Sequence, residues 1–194
     1  MSIENNAEAS DDVGFVRITA LPPTSISRQN RWNNIDAVLI VDWLSYDKMC
    51  ANLFNKIVKR YKMTENIPLD ILIGVEHGGT QPGGRLFMML KAEFPNIVYT
   101  NWNKVTETAN IDIKGKNVLV IDDMVTTGNT VRHVQDKCND IGVGSFKFAC
   151  LARKVPGFIP DFAAIDVEDR IGVFFPWKSW PVSIGYVYHK SEVE

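Results

Sequence analysis

Cysteine is scarce in this chain and does not cluster. Cys50, Cys138 and Cys150 are three in number, widely spaced, with no CxxC pair. That argues against a disulfide framework or a thiolate zinc site and fits reduced, buried thiols. Neither charge sign is in excess: 21 Lys and Arg stand against 23 Asp and Glu, a net charge of −2. Bulk binding of nucleic acid needs a basic surface, so no nucleic-acid partner is expected. No apolar run approaches membrane-spanning length, and no membrane partner is expected. The opening residues, MSIENNAEASDD, are acidic and polar, unlike a signal peptide. Internal repeats and low-complexity segments are also missing. The expectation is a soluble, cytoplasmic protein.

What is present is ordinary globular material. Of 194 residues, 45% are hydrophobic and 23% charged, enough for one domain with a sizeable core and a small attachment. Residues 1–40 read as an N-terminal extension, disordered to about residue 13, with a short strand at 15–20 and a Pro- and Ser-containing loop at 21–34. Residues 41–194 read as the main domain. Ser45 is a candidate N-cap for an amphipathic helix carrying Tyr46, Met49, Cys50, Leu53, Phe54, Ile57, Val58 and Tyr61 at helical spacing. Ile71–Val75 is a buried strand, and a helix is expected over Arg85–Phe94, apolar almost all round from Leu86 to Leu90. Ile97–Thr100 is a third strand. Asn101–Lys116 is polar and reads as a loop with an exposed Trp102. Further strands are expected at 146–151 and 171–175. Strands alternating with helices imply an α/β fold, a mostly parallel twisted sheet flanked by helices.

Chemistry concentrates in three places. The first is VLVIDDMVTTGNT, residues 118–130. An apolar strand runs into Asp122 and Asp123, and Thr126, Thr127, Gly128, Asn129 and Thr130 then open a helix whose buried face is Val131, Val134, Cys138 and Ile141, with Gly142 as C-cap. Ligands bind at the carboxyl ends of strands in open α/β sheets, and helix N-termini offer free N–H groups to phosphate. The second is Glu76-His77-Gly78-Gly79-Thr80-Gln81-Pro82-Gly83, also between a strand and a helix. Its glycines allow close backbone approach to an anion. The third is Arg153-Lys154 after an apolar strand, followed by Pro160-Asp161-Phe162, Asp169-Arg170-Ile171 and Phe175-Pro176-Trp177.

The 118–130 stretch closely resembles the 5-phosphoribosyl-1-pyrophosphate (PRPP) motif of type I phosphoribosyltransferases. The succession after Lys154 resembles the xanthine/guanine (6-oxopurine) branch. The resemblance spans roughly residues 42–180. It implies the type I phosphoribosyltransferase fold with a small C-terminal hood, and transfer of phosphoribosyl from PRPP to a purine base in nucleotide metabolism. Asp122 and Asp123 would hold the ribose hydroxyls, directly or through Mg²⁺, the implied cofactor. Thr126, Thr127, Gly128, Asn129 and Thr130 would wrap the 5′-phosphate, and Glu76, His77, Gly78 and Gly79 would face the pyrophosphate. Lys154, with Arg153 second, would bind the 6-oxo group of the base, and Phe174 stands in the region of the stacking residue. Trp177 and Trp180 would be packing residues, and 101–116 the flexible loop that closes over the site.

The chain departs from the 6-oxopurine pattern at three residues. Thr126 replaces an Asp placed to exchange a proton with N7 of the base; His77 replaces Arg or Lys, and Glu76 a small polar residue. Two alternatives therefore stand beside a purine enzyme: a non-catalytic PRPP- or nucleotide-binding regulator, and a phosphoribosyltransferase for another nucleobase. No covalent nucleophile is expected, since the cysteines fall in apolar patterns. The apolar 86–90 helix is compatible with a homodimer or larger homo-oligomer.

Overall fold

The computed structural model describes residues 16–19, 35 and 37–178. The expected disorder to residue 13, the loop at 21–34, Trp180 and the polar tail lie outside the described residues. In chain order the elements are β1 (Val16–Thr19), β2 (Ala37–Ile40), α1 (Trp43–Val58), a π-helical extension (Lys59–Glu65), β3 (Ile71–Val75), α2 (Thr80–Leu90), β4 (Val98–Asn103), β5 (Thr108–Ala109), β6 (Asn117–Val125), α3 (Asn129–Ile141), β7 (Ser145–Val155), β8 (Phe162–Glu168) and β9 (Ile171–Phe174). They fall into two compact units, divided near residues 42 and 169.

The larger unit has the expected α/β architecture. Its six-stranded sheet runs β5-β4-β3-β6-β7-β8, parallel except for β5. The central strands are continuous apolar runs, as burial on both faces demands: every residue of β3 is buried, as are Val118–Asp123 of β6. Ile71, Ile73, Val75, Val118, Val120, Phe148 and Cys150 share a core with Val131, Val134 and Cys138 of α3, so α3 covers that face. Gly74 turns to the other face, where the Tyr99 hydroxyl donates to the Thr80 carbonyl of α2 (3.0 Å). Gly142 ends α3 as expected, with φ +83° and its N–H shared between the carbonyls of Cys138 and Asn139.

Several boundaries differ from expectation. Ser45 is not an N-cap: α1 begins at Trp43, and Ser45 is buried because it lies one turn before Met49 on the core-facing side. Helix α2 begins at Thr80 rather than Arg85. Pro82 falls in its first turn, where a missing N–H costs no helical bond. On that helix Leu86 and Leu90 are buried while Met88 is 69% exposed. Trp102 is 1% exposed, not a surface residue, because its position on β4 alternates into the α3-side core. The segment expected as a free loop starts as β4 and returns as β5, pairing Trp102 with Ala109. Strand β8 goes unmarked in the sequence reading.

The smaller unit is a three-stranded sheet, β1 antiparallel to β2 and β2 parallel to β9, with the Val41 N–H donating to Phe174 O (2.9 Å). This sheet joins the strands expected near residues 15–20 and 37–41 to the one expected at 171–175. A lone four-residue strand such as β9 needs such partners. The Phe175 and Trp177 rings stack 4.9 Å apart within this unit. Among the described residues no helix is long and apolar enough to cross a membrane.

Candidate functional site

The chain reverses its direction of winding between β3 and β6. From β3 it crosses through α2 to β4 on one side; from β6 it crosses through α3 to β7 on the other. Such a switch opens a crevice at the carboxyl ends of the two strands. Pairing of β6 with β3 ends at Gly74–Ile121, while pairing with β7 continues to Val125–Arg153. Asp122 and Asp123 therefore sit where β6 loses one neighbour and keeps the other. Both are buried, at 8% and 6% exposure, and Asp122 Oδ1 accepts the Asp123 N–H (2.9 Å).

The 76–79 loop closes directly onto this pair. A Cβ on Gly78 would lie 2.4 Å from Asp122 Oδ1 and 2.7 Å from Asp123 Oδ1, so only glycine brings the backbone this close to both carboxylates. A Cβ on Gly79 would lie 2.0 Å from Ile121 O and 2.5 Å from Val75 N, which fixes glycine where the loop crosses β6. Gly79 buries its backbone, Glu76 is half-buried and His77 exposed. The Glu76–His77 peptide bond is cis. The first two sequence-marked groups are thus brought together.

Thr126 to Gly128 leave the end of β6 and turn into α3, with Gly128 at φ +78° as N-cap. Asp122, Met124, Val125, Phe148 and the residues from Thr126 to Val131 line a cavity of about 170 Å³. A second cavity, about 330 Å³, lies beside the first turn of α3, lined by Val75, Trp102, Lys104, Asn129, Thr130, His133 and Val134. Of the two acids, Asp122 lines the smaller cavity, not the larger. The first has the chemistry for a phosphorylated sugar, with a carboxylate at one end and a helix N-terminus at the other.

Lys154 lies within β7, 5% exposed, and donates to the carbonyls of Glu168 (3.1 Å) and Asp169 (3.2 Å). Burial lowers its pKa, and Asp169 acts against that shift. The loop after β7 ties this strand to the loop after β6: the Phe158 N–H donates to Thr126 O (2.9 Å). Arg153, one residue away, points to the opposite face of β7 and makes a two-pronged pair with Asp166 of β8. Phe174 lies in β9, in the smaller unit. Cys50, Cys138 and Cys150 are free and buried, with thiol pKa values pushed up by burial, to about 12 for Cys50 and about 11 for Cys138, so none is an available nucleophile.

Two residues of this region carried no signal in the sequence. Phe158 packs on Gly128, and Arg132 donates to Thr127 O (2.7 Å) and Asn129 Oδ1 (3.0 Å). Phe158 is 30 positions from the glycine it touches, so periodicity could not connect them. As a cation site, the acid pair stands without a third carboxylate, histidine or cysteine: no group of three or more is found among the described residues. Two carboxylates fit Mg²⁺ that arrives with phosphates and keeps its waters, rather than a cation caged by protein.

The family model of the phosphoribosyl transferase domain matches residues 40–189. Orotate phosphoribosyltransferases from Brucella anthropi and Brucella ovis are each 28% identical over 112 residues, covering 57% of this chain and 55% of the relative. The chain thus spans about half the length of the curated relatives it matches. Among solved structures, a purine phosphoribosyltransferase from Pyrococcus horikoshii superposes with TM-score 0.59 at 27% identity, covering 74% of this chain and 95% of that one. A hypoxanthine phosphoribosyltransferase from Trypanosoma cruzi, at 17% identity, shares the fold with TM-score 0.56 over 65% of this chain and 75% of its own. The matched span contains the switch-point crevice, its acid pair and both loops around it, and on that ground the chain belongs to the phosphoribosyl transferase domain family.

Proposed function

We propose that the chain transfers the 5-phosphoribosyl group of PRPP to a nucleobase of the 6-oxopurine type. The carrying observation is the contact of the Gly78 backbone with Asp122 and Asp123, which joins an anion-binding loop to a sugar-binding acid pair at the sheet's switch point. In this reading Asp122 and Asp123 take the ribose hydroxyls, and Thr126, Thr127, Gly128, Asn129 and Thr130 take the 5′-phosphate. Glu76, His77, Gly78 and Gly79 face the pyrophosphate. Mg²⁺ held beside Asp122 and Asp123 supplies charge neutralisation for the leaving group. A base nitrogen forms the bond to C1 of the ribose, the bond from C1 to the pyrophosphate oxygen breaks and its electron pair leaves with pyrophosphate, and the proton of the base nitrogen passes to solvent water. The protein's part is positioning and electrostatics. Lys154, buried near the end of β7, reads the exocyclic oxygen of the base, with Arg153 and Phe174 as the remaining base-side candidates. Thr126 hydrogen-bonds the base without exchanging a proton near pH 7. The exposed Met88 side of α2 suits self-association into a homodimer or larger oligomer.

A second reading has support of its own. The orotate enzymes among the relatives, together with Thr126 in place of an aspartate, favour a pyrimidine acceptor. The test is pyrophosphate release from PRPP and Mg²⁺ with a panel of bases. Release with guanine, xanthine or hypoxanthine supports the purine reading. Release with orotate alone supports the second. Tight PRPP binding with no release under any base refutes an enzyme and leaves a binding regulator.

A further inference from the structure

The loop that follows β7 is built onto the phosphate loop, and its contacts go beyond packing. The Phe158 ring lies directly against the α-carbon of Gly128: a Cβ there would fall 2.4 Å from Phe158 Cδ2 and 2.5 Å from Cγ. The Phe158 N–H holds the Thr126 carbonyl at 2.9 Å. Gly157 supports the same approach, since a Cβ on it would lie 2.7 Å from both Thr126 O and Lys154 O. On the other side the Arg132 guanidinium sits 5.7 Å from the Phe158 ring centroid and donates to Thr127 O and Asn129 Oδ1. The carbonyls of two successive loop peptides, at Thr126 and Thr127, are therefore each pinned by a donor from outside the loop.

In a trans peptide the carbonyl and the next N–H point in opposite directions. Holding Thr126 O fixes the direction of the Thr127 N–H, and holding Thr127 O fixes that of the Gly128 N–H. These are the donors a phosphate at this helix N-terminus uses. We propose that Phe158 and Arg132 are positioning residues that preset the phosphate loop, and that Phe158 links that loop to the strand bearing Lys154. Neither touches the reacting atoms. The inference rests on the PRPP reading above. Its physical content is preorganisation: donors oriented before binding cost less to order when the anion arrives.

The test compares wild type with Phe158→Ala, Phe158→Tyr and Arg132→Gln, using ribose 5-phosphate and PRPP as titrants. Phe158→Ala, which keeps the 158 N–H but removes the ring seated on Gly128, and Arg132→Gln, which removes the guanidinium on Thr127 O, are each expected to weaken both ligands roughly tenfold. Phe158→Tyr, which keeps the ring, is expected to restore wild-type affinity. In turnover, KM for PRPP rises in the first two variants while kcat and KM for the base stay within about twofold. A general folding defect would lower the active fraction and kcat without this split, and would overturn the positioning role. Unchanged ribose 5-phosphate affinity in both Phe158→Ala and Arg132→Gln overturns it while leaving the PRPP reading intact. If wild type itself binds neither ligand, the PRPP reading falls and this inference falls with it.

Discussion

Lys154 is a cation held in a place that penalises its charge. Burial lowers its pKa from the ordinary lysine value, and the carbonyls of Glu168 and Asp169 are the partners its ammonium has gathered. The sign of the resulting pH dependence follows. Between its lowered pKa and the ~10.4 of an unfolded lysine, the unfolded chain binds more protons than the native one, so this residue's contribution to stability rises with pH. Urea melts across that alkaline range should show the rise in wild type and lose that component in Lys154→Met. If Lys154 also reads the base, the same substitution should abolish use of 6-oxopurines while PRPP affinity stays within about twofold. Unaltered base preference in Lys154→Met would remove Lys154 from the base site. Arg153 differs despite its adjacency: strand alternation sends it to the other face, where Asp166 holds it.

At the scale of elements, the β4–β5 hairpin is anchored by a core residue. Trp102 is 1% exposed among Ile71, Ile73, Val75, Val134 and their neighbours. Trp102→Ala should therefore cost about 3–5 kcal/mol in a denaturant melt, the range for removing a large aromatic from a packed core. A loss under about 1 kcal/mol would mean that the hairpin does not depend on it. The sequence conceals this because Trp102 stands in a polar surrounding, Asn101 and Asn103 on either side, whose alternation is too short to read as a strand. Strand β8 was hidden similarly: FAAIDVE mixes alanines with acids, and its place is set by pairing with β7, from Ala149–Phe162 to Val155–Glu168, not by local pattern. By contrast β3, the apolar part of β6 and the buried face of α3 were legible, because continuous apolar runs and a 3.6-residue period leave little choice. The site followed the same division. The acid pair and both glycine-bearing loops are local strings and could be read; Phe158 and Arg132 meet the 126–129 loop through tertiary contacts and could not.

For the whole molecule, family membership rests on a model match over residues 40–189, while the substrate rests on finer features. The relatives point two ways: orotate enzymes at 28% identity, and a purine enzyme of known structure at 27%. Both readings require the same first event, binding of PRPP across the β3–β6 crevice. That event is tested most directly by calorimetric titration of PRPP with Mg²⁺ into wild type and into the double variant Asp122→Asn, Asp123→Asn. Both acids are buried at the switch point beneath Gly78, and amides in their place keep size but lose charge. We expect saturable binding in wild type, and in the variant, with its thermal transition retained, a loss of affinity of at least about a hundredfold, roughly 2.7 kcal/mol. Equal PRPP affinity in the two proteins would contradict the account.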